Sequence, residues 1–258
     1  NIMIEVKNVI KSFDGKTVLK DISATFYPGK TNLIIGESGS GKTVLVKSII
    51  GIHHVDSGKI LYNGRNLIAM NSQEVKLLRQ EIGMLFQGSA LFDSMTVEEN
   101  VRFPLEMFSN ESREAWDERV NFCLKRVNLV NANKLYPSEI SGGMQKRVAI
   151  ARAIVLQPTY LFCDEPNSGL DPKTSILIDQ LIQEITYEYN ITTIINTHDM
   201  NSVMEIGDNI IFIYKGEKAW EGNKSNILDS DNTELNNLVF ASDLFKKIKA
   251  IHNATSSK

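Results

Sequence analysis

The chain has 258 residues, 42% hydrophobic and 23% charged, and its 28 basic and 31 acidic side chains leave a formal charge of −3. Such a composition supports a globular protein with a sizeable buried core, and the slight acidity argues against a nucleic-acid partner. Its two cysteines, Cys123 and Cys163, have no metal-ligand spacing and read as buried thiols in a reducing compartment.

In chain order, residues 2–9 and 17–26 are expected as strands around a turn at Asp14-Gly15. The opening stretch lacks the apolar middle of a signal peptide. No apolar run reaches the roughly 18–20 residues that a membrane-crossing helix needs, so the chain is expected in the cytoplasm. Met3 reads as the natural start, with Asn1 and Ile2 as additions. Residues 31–35 form a short apolar strand that runs into a glycine-rich loop, and 42–50 have helical spacing. A hairpin arm at 59–62 turns at Asn63-Gly64, and 82–86 is a further strand. Helical signals run from 96 to 130, and a second helix is expected over 142–156, stopped by Pro158. Strands at 159–163 and 192–196 enclose another helix, and a hairpin at 210–220 turns at Lys215-Gly216. The polar tail after Gly222 has one apolar patch at 235–245, expected as a short amphipathic helix on the surface. There is no internal repeat. This order predicts a mainly parallel α/β sheet interrupted by a helical insertion.

Gly36-Glu37-Ser38-Gly39-Ser40-Gly41-Lys42-Thr43 matches the phosphate-loop pattern GxxxxGK[ST] at every fixed position, between a predicted strand and a predicted helix. Glycines let the backbone turn its N–H groups inward around phosphates, and the following helix points its positive end at the same anions. Lys42 would bring a positive charge to the β- and γ-phosphates of a nucleotide, and Thr43 a hydroxyl to Mg²⁺. A second acidic element follows: the apolar strand 160–163 ends in Asp164-Glu165. Adjacent carboxylates at a buried strand's end are costly unless a cation or a reacting water uses them. Asp164 is expected to bind Mg²⁺, directly or through water, and Glu165 to polarise the attacking water as general base.

Ile140-Ser141-Gly142-Gly143-Met144-Gln145-Lys146-Arg147 resembles the LSGGQ signature of ABC ATPases. Over residues 3–222 the other motifs of that family follow in its order. Phe13 stands where the family places an adenine-stacking aromatic, Gln87 matches the Q-loop, Ser168-Gly169-Leu170-Asp171 the D-loop and His198 the switch histidine. His53 and His54 have no such context and are expected on a loop surface. The departures are mild: Ile140 replaces Leu, Met144 replaces the signature's last Gln, and Asn167 stands where Thr is commoner.

The resemblance implies a P-loop NTPase (RecA-like) core with an antiparallel β subdomain and an inserted α-helical subdomain. The ATPase domain would be 1–222 (core 1–87 and 156–222, helical subdomain 88–155), with a C-terminal tail at 223–258. It also implies ATP and Mg²⁺ as cofactors and catalytic parts for Glu165, His198 and Gln87, with Thr43, Gln87 and Asp164 at the metal. Phe13, the phosphate loop, Ser141, Gly142, Gly143 and Asp171 would contact nucleotide. A phosphate loop wraps only one side of a triphosphate, so a second copy, arranged head to tail, would close its Ser141–Gly143 turn over the other side.

Two stretches, 83–105 and the Met144 after Ser-Gly-Gly, look like the ATPases of Mla-type (Mce-associated) phospholipid transporters. That likeness implies an integral permease, contacted by Leu91, Phe92 and Met95 on the cytoplasmic face of the inner membrane, and a periplasmic lipid-binding (Mce-type) protein. The alternatives are the ATPase of an amino-acid or other small-solute importer and a cell-division-associated ABC ATPase. A DNA-repair or translation factor would need a long inserted coiled coil or tandem ATPase units, and the sequence has neither.

Overall fold

The computed structural model describes residues 3–256. In chain order the elements are β1 (Ile4–Phe13), β2 (Lys16–Phe26), β3 (Lys30–Ile35), α1 (Lys42–Ile49), β4 (Ser57–Tyr62), β5 (Arg65–Asn66), α2 (Ser72–Gln80), β6 (Ile82–Leu85), α3 (Val97–Phe108) and α4 (Arg113–Arg126). There follow α5 (Gly142–Ile154), β7 (Tyr160–Asp164), α6 (Pro172–Glu188), β8 (Thr192–Asn196), α7 (Met200–Ile206), β9 (Asn209–Tyr214), β10 (Glu217–Gly222), α8 (Thr233–Val239) and α9 (Asp243–Ser256). Among the described residues no helix is long and apolar enough to cross a membrane. They form two compact units, one of residues 3–27, 31–70 and 196–256, the other of 28–30 and 71–195.

In the first unit, β2, β1, β4 and β5 make an antiparallel sheet in that order. Ile4, Val6, Val9, Leu19, Ile22, Phe26, Ile60 and Tyr62 are buried, the alternation of a sheet with one covered face. The three predicted turns all form. Asp14-Gly15 (φ 49 and 78), Asn63-Gly64 (φ 49 and 81) and Lys215-Gly216 (φ 46 and 82) are left-handed at both central residues, the twist that suits a two-residue hairpin. Strand β3 pairs in parallel with β9 from Asn32↔Asn209 to Ile35↔Phe212, and β9 pairs antiparallel with β10. Residues 31–35 and 209–213 are buried throughout, as expected of strands covered on both faces.

The tail differs from its expectation. It forms two helices rather than one, and Ile227, Leu235, Val239 and Phe240 are buried rather than on the surface. Asn232 caps α8 through Leu235 N–H, and the Ser242 hydroxyl accepts from Phe245 N–H, so a fresh cap interrupts the apolar patch. Lys249 Nζ bonds Ser230 O (2.8 Å) and Asn236 Oδ1 (2.7 Å) and lies over the Phe240 ring.

In the second unit the strand order is β8-β7-β6, and β6 pairs in parallel with β7 from Ile82↔Tyr160 to Leu85↔Cys163. Helix α5 packs on α3, α4, α6 and β6. A Cβ at Gly83 would run into the Ala153 carbonyl, so α5 and β6 approach closely only because Gly83 lacks one. The helical stretch 96–130 is broken between α3 and α4, where Ser112 caps α4 through Ala115 N–H. Helix α2 has only Leu78 buried, and a capping box of Asn71 and Glu74 starts it. Cys123 and Cys163 are buried free thiols, and burial pushes the Cys123 thiol up to about 11.

Candidate active site

In the first unit, the loop from β3 to α1 has Gly36, Gly39 and Gly41 at φ 156, 78 and 110. A Cβ at Gly36 would meet the Ile213 carbonyl and the Ser40 hydroxyl, so the loop is compressed against β9. We expect Gly36→Ala to destabilise the chain by roughly 1–3 kcal/mol in urea unfolding, and wild-type stability would contradict this packing. Gly216 N–H donates to Ser40 O (2.9 Å), which ties the β9–β10 hairpin to the loop. No side chain caps α1, whose N-cap is Gly41, so the positive end of the helix faces the loop. The Ser40 hydroxyl is buried without a hydrogen-bond partner. The Lys42 ammonium folds over the loop, donating to Gly36 O (2.7 Å) and Glu37 O (3.0 Å). Glu37, Ser38 and Thr43 are exposed. An orphaned buried hydroxyl, an open helix end and a cation poised above them fit a bound phosphate chain.

Phe13 ends β1 and is 38% exposed. His53 is half-buried with its ring edge-on to Phe13 at 5.2 Å, not simply a loop-surface residue, and Lys11 Nζ lies 4.8 Å from the Phe13 centroid. Only the fold brings residue 53 to residue 13. His198 is exposed in the turn between β8 and α7, which Thr197 and Asp199 shape by accepting from Asp199 N–H and Asn201 N–H.

In the second unit, β7 delivers Asp164 and Glu165 at its end, both half-buried. Glu165 is left-handed at φ 47, a conformation that costs of order 1–3 kcal/mol in a non-glycine residue and recurs at functional sites. Its carbonyl accepts from Ser168 N–H (3.1 Å), and Gln87 Nε2 reaches Ser168 Oγ at 3.4 Å, so Gln87 borders the 165–171 loop. The Asn167 amide donates to the buried Asp179 carboxylate (3.2 Å), which anchors the loop to α6. Asp171 caps α6, accepting from Thr174 N–H (3.1 Å) and the Thr174 hydroxyl; these bonds, the hydroxyl's first, hold its carboxyl below the usual range. Ser141 caps α5 through Met144 N–H (3.2 Å), with Gly142 and Gly143 in the first turn. A Cβ at Gly143 would stand 2.7 Å from Thr174 Cγ2, which keeps the start of α5 close to α6.

Among the described residues no group of three or more His, Cys, Asp and Glu could hold a metal.

Residues 19–168 match the family described as ABC transporter. The chain belongs to that family. This ABC chain is 36% identical over 230 residues to the "Probable ribonucleotide transport ATP-binding protein mkl" of Mycobacterium leprae, covering 89% of itself and 66% of that protein. It is 40% identical over 211 residues to the "Methionine import ATP-binding protein MetN" of Clostridium tetani, covering 82% of itself and 66% of MetN. The chain therefore spans slightly less than two thirds of these relatives' length. Among solved structures, the ATP-binding cassette MJ0796, a dimer in a post-hydrolysis state bound to ADP and Pi, superposes with a TM-score of 0.76 at 32% identity, over 86% of this chain and 98% of that one. The fold is that of an ABC ATPase cassette, α/β with a helical subdomain.

Proposed function

We propose that this chain is the ATP-binding and hydrolysing subunit of an ABC transporter, acting at the cytoplasmic face of a membrane with a separate permease. The observation that carries the reading is the β3–α1 loop: its glycines, its open helix end and Lys42 are fitted to a polyphosphate. Glu37, Ser38, Gly39, Ser40 and Gly41 surround the phosphates, Lys42 neutralises them, and Phe13 stacks on the base. Thr43, Asp164 and Gln87 would hold Mg²⁺, which when bound would neutralise charge on the phosphates. Glu165 takes a proton from the attacking water, Gln87 orients that water, and His198 holds the γ-phosphate. Ser141, Gly142 and Gly143, with Asp171 beside them in the sister chain's loop, complete the site across a head-to-tail pair of copies. The dimeric state of the MJ0796 cassette supports that arrangement.

For the permease, an apolar groove of about 510 Å³ in the second unit is lined by Phe86, Phe92, Phe103 and Met107 among others. Of the three apolar residues expected to contact a permease, Phe92 lines this groove and Leu91 and Met95 do not. On cargo, the ribonucleotide- and methionine-transport names of the relatives favour a small-solute importer over the phospholipid reading. The phospholipid reading, with its Mce-type partner, rests on the 83–105 stretch and Met144. Purifying the native membrane complex and identifying its subunits and bound molecules by mass spectrometry separates the two. Co-purified phospholipid with an Mce-type protein supports the lipid reading; a solute-binding protein supports import. A chain that neither binds nor hydrolyses ATP would overturn both.

A further inference from the structure

The loop after Gln87 is bent at a cost. Ser89 (φ 62) and Ala90 (φ 49) are consecutive left-handed residues, and neither is a glycine or an asparagine. A Cβ disfavours that conformation, and such a pair persists only where its surroundings hold it. The hold comes from α5. Lys146 Nζ donates to the Gln87 carbonyl, while Arg152 donates through Nη2 to Ser89 O (2.7 Å) and through Nη1 to Ala90 O (2.8 Å).

Lys146 is taken out of water to do this, and Arg152 is half-buried. Lys146 is 4% exposed, and burial lowers its ammonium's pKa as it lowers that of the Arg152 guanidinium. Holding cations against main-chain carbonyls is an expensive way to fill space, because an apolar side chain would avoid the desolvation. The Asp164 carboxylate and the Cys163 thiol favour the Lys146 charge, so the ammonium sits close to the end of β7. The same helix begins with Ser141–Gly143, and its Arg152 also lines the apolar groove.

We infer that Lys146 and Arg152 are positioning residues that lock Gln87 and its strained loop to α5, so that the groove, the Gln87 loop and the Ser141–Gly143 turn move as one piece. The consequence for turnover rests on the ATPase reading above. Because all three bonds end on carbonyls, the lock is independent of the Gln87 side chain. Gln87→Ala removes the amide and keeps the loop in place; Lys146→Met keeps the amide and releases the loop.

Hydrogen exchange on the nucleotide-free chain tests the lock directly. In wild type the Ser89 amide is bonded to Phe86 O (3.0 Å) and the Phe92 amide to Asn100 Oδ1 (2.8 Å). With Lys146→Met combined with Arg152→Met, exchange across 86–92 is expected to quicken by about tenfold or more while α4 and α6 keep wild-type protection. With Gln87→Ala it is expected to stay as in wild type. In the hydrolysis assay, Lys146→Met should lower kcat by about tenfold with the ATP KM within about twofold, and Lys146→Arg should restore most of it. If the double variant does not fold, Lys146→Gln and Arg152→Gln carry the same readouts. Unchanged exchange at 86–92, or a kcat unaffected by Lys146→Met, would overturn the inference. A wild-type chain without ATPase activity would instead defeat the functional reading and leave the exchange test standing.

Discussion

Glu165→Gln is expected to bind Mg-ATP with wild-type affinity, to lower turnover by about a hundredfold or more, and to accumulate as a dimer on gel filtration. Glu165 directly follows the buried strand β7 in a left-handed conformation, and glutamine keeps its size. What it loses is the negative oxygen that accepts a proton from water. General-base catalysis contributes roughly 10²–10⁴-fold, which sets the size of the loss. If ATP glues two copies together and its hydrolysis loosens them, blocking the chemistry traps the pair. A variant that turns over normally would remove Glu165 from the mechanism.

Lys42→Ala is expected to raise the dissociation constant for ATP by about a hundredfold or more. The wild-type ammonium already rests on Gly36 O and Glu37 O, so it is held over the loop before nucleotide arrives and little entropy is lost when phosphate replaces those carbonyls. A charge-assisted bond to phosphate contributes about 1.5–3 kcal/mol, and the Coulomb term of the polyphosphate adds to it. Calorimetry reads the change directly, and unchanged affinity would remove the phosphate role from Lys42. Loss of fold is not expected, since α1 keeps Leu45, Val46 and Ile49 buried.

Sequence patterns carried most of the core elements because each has its own local signal. Strands β3, β7 and β8 are short apolar runs, the hairpins turn at Asp-Gly, Asn-Gly and Lys-Gly, and the phosphate loop is defined by its glycines. What escaped is of another kind. Helix α2 is short and covers little core, with Leu78 its one buried residue. The burial of Leu235 and Phe240 depends on what the tail lies against, which no periodicity encodes. The T-shaped contact of His53 with Phe13 and the bond of Lys146 to Gln87 join residues far apart in sequence. The left-handed Ser89 and Ala90 carry residue types that give no hint of it. For the site, local motifs named the residues, and the fold added the bonds that hold them.

The central claim is that each ATP is completed by a sister copy, and mixing two inactive variants tests it most directly. Lys42→Ala spoils the phosphate loop, and Ser141→Arg places a bulky cation at the N-cap of α5, where the partner's nucleotide is to be met. Neither variant alone should hydrolyse ATP. In a mixed dimer one site joins both defects, while the other joins an intact loop from the Ser141→Arg copy to an intact turn from the Lys42→Ala copy. The account predicts that an equimolar mixture recovers turnover, up to about a quarter of wild type, since half the dimers are mixed and each holds one sound site of two. A mixture as inactive as its components, under conditions where mixed dimers form, would contradict it.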